Sequence, residues 1–511
     1  MPVITARLWT SVERQRAEMN PTPRVRIQVA NDADINPTGD YVVYWMTANR
    51  RLTYNFALQR AIGIATEVDK PLIVFEALRC GYEWASDRLH RFVFQGMAEH
   101  RAALAGSGIA YYAWAETKRG EGRELLKTLA SKACAIVSDD FPCFFLPRMM
   151  KAVAPRLEVR FELVDSNGIY PMRATDREFT RAHSFRRHLQ KELRPYLIEM
   201  PDEDPIAHAK QLPQATIPAD VLAKWPEASD ELLTATPAVL STLPIDHSVV
   251  AASFDGGQSS AADVLDRFMN SRLSRYADGR NSPDDEVASG LSPYLHFGHI
   301  SAHEIFQRVV ERDGWDLGRL REKPNGSRDG WWGMSTEAES FLDELITWRE
   351  LGYNMCHLRD DYDQFESLPE WAQKTMSEHA GDHRPELYSL EELETAATDD
   401  DIWNAAQRQL VHEGRMHNYL RMLWGKKIYQ WSPTPQDALQ NMIHLNNKYA
   451  VDGRNPNSYS GIFWVLGRYD RAWGPERPIF GKLRYMTSDS TRRKLKMKSY
   501  LARYSEFASG E

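Results

Sequence analysis

The sequence predicts an α/β domain with a doubly wound parallel sheet, followed by an all-α domain. The chain has 511 residues, a length that suits two domains. In its first third, continuous apolar runs alternate with amphipathic stretches, which is typical of parallel strands joined by helices. From about residue 255 onward the strand pattern fades and helical periods dominate.

The first domain is predicted over residues 22–166. We expect its strands at 24–31, 41–47, 71–78, 108–115, 133–140 and 158–166, with helices at 55–67 and about 85–105 between them. No GxGxxG motif follows the first strand, and GxxxxGK[ST] occurs nowhere in the chain. The domain is therefore expected to lack the usual dinucleotide or phosphate-loop signature.

Residues 167–250 differ in composition, because seven prolines fall between 201 and 244 among many charged residues. This pattern predicts an extended, partly helical linker between the two domains. Residues 251–500 are predicted to form the helical domain. Its helical periods lie at 260–278, 301–312, 336–354, 399–412, 414–430 and 434–447.

Composition excludes several classes of protein. The formal net charge is -8, so any contact with DNA requires a local basic patch. The four cysteines form no CxxC pair and have no histidine at zinc spacing, which argues against a disulfide framework, an iron–sulfur cluster or any metal site. No apolar run reaches the length of a signal peptide or of a membrane span, which needs ~18–20 residues. We expect a cytoplasmic protein, nucleoid-associated in a bacterium, with an organelle or the nucleus left open.

The segment SGLSPYLHFG at 289–298 carries the first chemical signal. Its small residues let a ligand approach the backbone, and Ser289 and Ser292 can donate to phosphate oxygens. An ordinary helix start with proline just inside it explains the same residues. The pattern alone leaves both interpretations open.

Longer segments resemble a known family. YADGRNSPDDEVASGLSPYLHFG is similar to the flavin-binding segment of the photolyase/cryptochrome superfamily. FLDELITWRELGYNMC, DDIWNAAQRQLVHEGRMHNYLRMLWGKKIYQW and DGRNPNSYSGIFWVLGRYDRAWGPERPIFGKLRYM resemble its class II branch, the cyclobutane pyrimidine dimer photolyases. The N-terminal segment NPTGDYVVYWMTANRRLTYNFAL also matches, so the resemblance covers nearly the whole chain.

The resemblance implies FAD bound in the helical domain. The residues matched to its phosphates and ribityl chain are Tyr276, Arg280, Ser289, Gly290, Leu291 and Ser292. Arg421 and Asp452 match a pair beside the isoalloxazine ring, where an ion pair stabilises negative charge on a reduced flavin. Asn446 matches the asparagine that faces flavin N5, although a helix C-cap would also explain it.

Three tryptophans match the electron-transfer chain of class II, which photoreduces the flavin. Trp424 would lie nearest the flavin, Trp403 in the middle and Trp431 at the surface. Trp424 and Trp431 are seven residues apart, two helical turns and roughly 10 Å. Core packing alone would also produce this spacing.

The resemblance implies a DNA lesion as substrate. Glu344 and Trp348 are four residues apart and share a helix face. Trp348 and Trp464 would hold the two flipped-out pyrimidines, while Glu344 would bind a pyrimidine carbonyl and stabilise the radical anion. A surface salt bridge to Arg349 or Lys323 is the alternative for Glu344. Asp470 matches a further acid near the substrate.

Basic residues crowd the end of the chain and predict a phosphate-binding rim for ultraviolet-damaged DNA. Arg471, Arg477 and Arg484 lie in matched segments. Lys494 to Lys498 could equally form a solvated helix face. We expect a monomer.

Two points depart from the family or stay open. The run VLGRYD, with Arg468 and Tyr469, is shorter than the usual family segment before Asp470, which puts the detailed shape of the lesion pocket in question. Class II proteins often carry a second, light-harvesting pigment of the deazaflavin or folate type in the α/β domain, but the sequence does not identify its ligands.

The leading hypothesis is light-driven repair, in which reduced FAD passes an electron to the dimer and recovers it. The alternative is a cryptochrome-like light sensor without repair activity. The end of the chain soon after its basic segment and the presence of Glu344, Trp348 and Trp464 favour repair. A photolyase of 6-4 photoproducts needs a histidine beside the lesion, and His299 has no evident place there.

Overall fold

A six-stranded sheet forms the first part of the molecule, for which the computed structural model describes residues 20–505. The strands are β1 Ile27–Val29, β2 Tyr41–Met46, β3 Leu72–Leu78, β4 Ala110–Ala115, β5 Ala133–Asp139 and β6 Arg160–Val164. Their order is β1-β6-β5-β2-β3-β4, and all neighbouring pairs are parallel except β1 with β6. The doubly wound α/β prediction is confirmed, with the three-residue edge strand β1 reversed, as is common at the edge of such sheets.

Helices cover both faces of the sheet, which explains the continuous apolar runs of the sequence. All six residues of β2 are buried. Val43 and Trp45 belong to a core on one face, and Val42 and Tyr44 to a core on the other. Parallel strands buried on both faces are expected to be apolar throughout rather than alternating.

The loop after β2 replaces a phosphate site with a carboxylate of the chain itself. Asp139, at the end of β5, accepts hydrogen bonds from the backbone N–H groups of Thr47, Ala48 and Asn49 at 2.7, 2.8 and 3.0 Å. The strand order reverses between β2 and β5, where doubly wound proteins usually bind nucleotide phosphates. Because these N–H groups already donate to Asp139, they are not free to bind a phosphate. The glycine-rich motif that serves phosphate binding therefore has no role in this loop.

Helices α1 to α8 belong to the α/β domain and to the segment that follows it. They are α1 Phe56–Glu67, α2 Asp87–Leu104, α3 Leu125–Ala130, α4 Leu146–Val153, α5 Ala182–Glu192, α6 Ala219–Lys224, α7 Asp230–Leu233 and α8 Pro237–Leu240. The last four lie within residues 167–250, where the sequence predicts partly helical structure, and α6 to α8 among the prolines are short.

The remainder is helical, and in the described part of the chain no strand follows Val164. The helices are α9 Gln258–Arg267, α10 Tyr276–Gly279, α11 Ser292–Phe297, α12 Ala302–Asp313, α13 Thr336–Leu342, α14 Arg349–Leu358, α15 Glu370–Glu378, α16 Leu390–Glu394, α17 Asp401–Glu413, α18 Asn418–Trp431, α19 Pro435–Tyr449, α20 Pro456–Val465, α21 Ser488–Lys494 and α22 Lys498–Ser505. A π-helical turn, Asp343–Trp348, joins α13 to α14.

One buried arginine ties the sheet half to the helical half. Arg88 of α2 donates to the carbonyls of Val411 in α17 and Tyr449 in α19, both at 2.6 Å, and to Val250 at 2.9 Å. Burial lowers the pKa of Arg88 to about 10. The acceptors lie at helix C-termini, whose negative partial charge compensates the guanidinium. Arg88 therefore fixes the two helices that carry Trp403 and Asn446.

Candidate functional site

The π turn presents Glu344 and Trp348 together. Four of its six residues are buried, and only Glu344 and Trp348 reach the surface. The shared face predicted from the sequence is therefore present, although the local helix is of the i→i+5 type. Turns of this kind are rare and frequently occur at functional sites.

Glu344 forms an ion pair with Arg280, which follows α10. The alternative partners, Arg349 and Lys323, do not form this contact, and Arg349 instead donates to Tyr353 at 3.2 Å. Burial raises the pKa of Glu344, while Arg280 opposes the increase. The sequence assigns Arg280 to a cofactor and Glu344 to a substrate, and the structure brings the two side chains into contact.

The turn at 289–292 lies just before α11. Gly290 has φ +75, a conformation that favours glycine. The hydroxyl of Ser289 accepts from the Leu291 N–H at 3.3 Å, and Leu291 itself is buried. No side chain caps α11, so the hydroxyl of Ser292 is not used as a helix cap. Tyr276 packs against Phe341 nearby, with ring centroids 5.5 Å apart.

Arg421, Asn446 and Asp452 form one cluster from α18, α19 and the loop after α19. Arg421 donates to the amide oxygen of Asn446 at 3.3 Å and lies 3.5 Å from a carboxylate oxygen of Asp452. The amide nitrogen of Asn446 donates to Ser458 Oγ at 2.7 Å, which fixes the orientation of the amide. Because α19 continues to Tyr449, Asn446 is not a helix cap. The cluster combines a cation, an anion and an oriented neutral amide.

The three predicted tryptophans form a continuous path. Trp424 donates through Nε1 to Gln407 at 2.9 Å, and Trp403 donates through Nε1 to the Trp424 carbonyl at 3.0 Å. The rings of Trp403 and Trp431 are 5.5 Å apart between centroids. Trp424 lies on the same helix as Arg421, three residues further along, so the path begins beside the Arg421–Asn446–Asp452 cluster.

The prediction that Trp431 lies at the surface is wrong. Its side chain is only 2% exposed. Tyr388 packs edge-on against it, with ring centroids 5.1 Å apart, and the ammonium of Lys427 lies 5.1 Å from its ring. Tyr388 covers the indole because the segment before α16 folds back over the end of α18. Lys427 covers it from α18 itself.

The region around Asp470 joins the candidate lesion and DNA residues. Arg484 donates two hydrogen bonds to Asp470, at 2.9 and 3.2 Å. Its guanidinium lies 5.1 Å from the ring of Trp464 and 4.0 Å from that of Trp473. Arg471 stacks on Trp473 at 4.5 Å. Burial raises the pKa of Asp470 and Arg484 lowers it, leaving it below its usual range.

Trp473 contacts several of the candidate DNA residues, and the sequence analysis did not name it. It lies between two arginines and donates to Asp470 at 3.1 Å. Its position between the basic residues of DRAWGPER was an available signal, because aromatic residues among cations are typical of nucleic-acid surfaces. Arg477 is exposed further along this surface and lies 4.9 Å from the ring of Tyr485.

The shortened VLGRYD segment does not place Arg468 beside Trp464. Arg468 is buried, donates to the Tyr362 carbonyl at 2.8 Å and to Ser367, and lies 3.7 Å over the ring of Phe463. Its contacts are those of a core residue that holds the 362–367 segment. Arg468 is therefore not a contact residue of the candidate lesion site.

Part of the basic C-terminal stretch is already paired. Arg492 forms an ion pair with Asp401 at 2.5 Å, and Lys482 pairs with Glu476 at 3.0 Å. Lys494 lies 5.1 Å from the ring of Tyr419. These contacts leave Arg471 and Arg477 as the more available cations for phosphate.

A cavity of about 120 Å³ lies at the carboxyl ends of β2 and β3, against α11. Aromatic residues, including Phe144 and Phe145, and three arginines line it: Arg50, Arg79 and Arg454. Arg50 is held by buried Glu76 at 3.1 Å. The sequence analysis did not identify this cavity, because its lining comes from separate segments of the chain.

Within residues 20–505, no three His, Cys, Asp or Glu side chains converge as a metal site would require. The four cysteines are buried free thiols. None of the helices described between residues 20 and 505 combines the length and apolar character needed to cross a membrane.

Comparisons with known proteins give full-length relatives. No protein-family model matches the chain. The deoxyribodipyrimidine photo-lyase of Methanothermobacter thermautotrophicus is 34% identical over 479 residues, 94% of this chain and 97% of that protein. The protein of the same name from Arabidopsis thaliana is 32% identical, over 90% of this chain and 88% of its own. A class III photolyase from Agrobacterium tumefaciens has a similar fold, with a TM-score of 0.63 at 17% identity, covering 91% of this chain and 86% of its own.

Proposed function

The chain belongs to the deoxyribodipyrimidine photo-lyase family, and from that premise we propose that it repairs cyclobutane pyrimidine dimers in DNA, as class II photolyases do, by light-driven electron transfer from reduced FAD. It is accordingly an enzyme and a flavoprotein. The observation that carries the proposal is the π turn that presents Glu344 and Trp348 together, with Glu344 paired to Arg280 of the candidate cofactor site.

The donor groups of this chain fit FAD. Arg280, the hydroxyls of Ser289 and Ser292 and the turn at Gly290 suit a pyrophosphate, because they combine a cation with hydrogen-bond donors. Bound FAD supplies light absorption and the electron for repair. The ion pair of Arg421 and Asp452 would stabilise negative charge on the isoalloxazine ring of a bound flavin. The fixed amide of Asn446 would accept a hydrogen bond from the N5–H group of that ring.

Glu344 binds a carbonyl of the lesion. Burial raises the pKa of this carboxyl, and its ion pair with Arg280 opposes the increase. A hydrogen bond to the carbonyl oxygen stabilises negative charge that develops there. Arg280, its ion-pair partner, holds the carboxyl in place and links the lesion site to the cofactor site.

Trp348 and Trp464 hold the flipped-out pyrimidines, and the surface around Asp470 binds the DNA backbone. The helices that carry the two indoles pack closely, since a side chain at Gly352 of α14 would lie 2.7 Å from the Pro456 carbonyl of α20. Arg471, Arg477 and Arg484 supply the cations for phosphate contacts. A dimer extrudes at lower cost than an intact pair, which favours damaged DNA.

The proposal divides the chain into an α/β antenna-type domain at 22–166, a linker at 167–250 and a helical catalytic domain at 251–500. We place the flat, anionic pigment of the deazaflavin or folate type against the aromatic cavity at the end of β2 and β3. Its aromatic walls contact a planar ring, and Arg50, Arg79 and Arg454 balance the negative charge. A pigment there would harvest light for the FAD site. The enzyme acts as a monomer.

The test is repair of defined lesions. Purified protein with reduced flavin is illuminated with oligonucleotides that carry one cyclobutane thymine dimer, one 6-4 photoproduct or no lesion, each with a dark control. We expect light-dependent repair of the cyclobutane dimer alone. Bound, photoreducible flavin without repair of either lesion would refute the proposal and favour a light sensor.

A further inference from the structure

Lys426 of α18 is a buried cation next to the candidate lesion site. Only 1% of the residue is exposed, although lysine is rarely buried without a charged partner. Its ammonium donates to the backbone carbonyl of Val465. Within residues 20–505 it forms no ion pair with a carboxylate, and Asp470 attracts it only from a greater distance.

Val465 is the last residue of α20, the helix that carries Trp464. Terminal carbonyls of a helix lack partners inside the helix. The preceding two are satisfied within the chain, because Gly467 donates to the Trp464 carbonyl and Arg468 to the Phe463 carbonyl, both at 3.0 Å. Lys426 supplies the hydrogen-bond donor for the third, the Val465 carbonyl.

The contact depends on a close approach of α18 to α20. A Cβ atom at Gly425 would lie 2.5 Å from a methyl group of Val465 and 3.0 Å from the sulfur of Met442. Glycine therefore lets α18 pack directly on the end of α20. This approach brings the next residue, Lys426, within reach of the Val465 carbonyl.

The same ammonium lies near the indole of Trp464. Lys426 Nζ is 5.7 Å from the centre of that ring, and the guanidinium of Arg484 is 5.1 Å from it. Arg484 is itself fixed by two hydrogen bonds to Asp470. Two held cations thus lie within cation–π distance of one half-buried indole.

We propose that Lys426 is a positioning residue for lesion binding, which fixes the indole of Trp464 by binding the end of α20 and by its charge near the ring. The inference rests on the proposed function, in which Trp464 contacts a flipped-out pyrimidine. A fixed indole costs less conformational entropy on binding than a mobile one, so the lesion binds more tightly. The affinity for undamaged DNA is unaffected, because its bases do not enter the pocket.

The charge of Lys426 depends on pH in the physiological range. Burial is the main cause that lowers its pKa to about 7; Asp470 opposes this change and Arg484 adds to it. Those two are the charged groups that face it from the segments after α20. On its own helix, Lys427 is directed instead to Asp400, at 3.1 Å. The ammonium is charged below about pH 7 and neutral above, where its attraction to the carbonyl and the indole weakens.

The test compares Lys426→Met with wild type in the dark. Dissociation constants are measured for an oligonucleotide with one thymine dimer and for the undamaged oligonucleotide, and their ratio gives the lesion preference. We expect this ratio to fall roughly tenfold in the variant, the size of one charge-assisted hydrogen bond, with little change for undamaged DNA. Lys374→Met, at an exposed lysine of α15, is the matched control and should keep the wild-type ratio.

A pH series on the wild type provides an independent measurement, which decides the matter even if Lys426→Met does not fold. The lesion preference should fall severalfold as the pH rises through about 7 and be flat in the variant. A flat wild-type profile, or an unchanged ratio in folded Lys426→Met, would overturn the role of Lys426 while the proposed function stands. A wild type without lesion preference at any pH would overturn both.

Discussion

Replacing Trp424 with phenylalanine tests the electron path. The indole begins a series in which Trp424, Trp403 and Trp431 contact one another by a hydrogen bond and ring packing. Phenylalanine is much harder to oxidise than tryptophan, so it interrupts the path at its first member. We expect photoreduction of the bound flavin to be blocked, while repair by chemically pre-reduced enzyme stays largely intact.

The cost in stability can be worked from the contacts. Trp424 Nε1 donates to Gln407, whose side chain is fully buried. Leaving that amide oxygen unpaired costs about 1–3 kcal/mol. The smaller ring adds about 1 kcal/mol from lost packing. The total of about 2–4 kcal/mol lies within the stability of a typical domain, so the variant should fold and bind flavin.

The assay follows flavin absorbance under blue light with an external electron donor, and unfolding by urea. Trp315→Phe is the matched control, because Trp315 is also buried and donates through Nε1, at 2.6 Å to the Trp332 carbonyl, but lies outside the path. It should lose similar stability and photoreduce normally. Wild-type photoreduction in Trp424→Phe would refute the assigned path, and equal loss in both variants would trace the effect to folding.

Three further predictions concern the lesion, the buried carboxyl and DNA. Glu344→Ala should lower the repair yield per absorbed photon far more than dark affinity for the lesion, and an unchanged yield would remove Glu344 from the reaction. Glu350 of α14 is buried and accepts hydrogen bonds from the backbone N–H groups of Ile169 and Tyr170 at 2.6 and 3.0 Å. Burial raises its pKa to about 7, so the folded state holds its proton more tightly than the unfolded state between about pH 4.5 and 7. The unfolding free energy should therefore fall with rising pH across that window, by up to about 3 kcal/mol, and urea titrations of Glu350→Gln should lack this slope. Arg477→Gln should weaken the binding of damaged and undamaged DNA to the same degree and reduce the salt dependence of binding by about one counterion. A loss of affinity for damaged DNA alone would contradict a phosphate contact.

Much of the fold could be predicted because the inner strands, such as β2 and β5, are buried on both faces along their length and are therefore mostly apolar. The six predicted strands all appear, with bounds within a few residues. The reversed direction of β1 could not be predicted, since local pattern does not encode which way an edge strand pairs. The π turn at Asp343–Trp348 escaped prediction for a related reason, because the same residues satisfy an α-helical period.

The resemblance named the candidate site residues, but their contacts could not be predicted. The ion pair of Arg280 with Glu344 joins residues 64 positions apart, which no spacing reveals. The burial of Trp431 depends on Tyr388, from a segment with no helical or strand pattern of its own. No sequence pattern marks Lys426, since its contact with the Val465 carbonyl depends on the packing of Gly425 on Val465, two residues on separate helices.

The central claim is that light drives an electron to the lesion and back, with no net redox change. The direct measurement is the number of thymine dimers repaired per electron supplied. Anaerobic enzyme is reduced once, mixed with excess dimer-containing oligonucleotide and illuminated, while recovery of thymine absorbance near 260 nm and the flavin spectrum are followed together. We expect many repairs per enzyme with the flavin still reduced at the end. One repair per electron supplied, with the flavin left oxidised, would contradict the account.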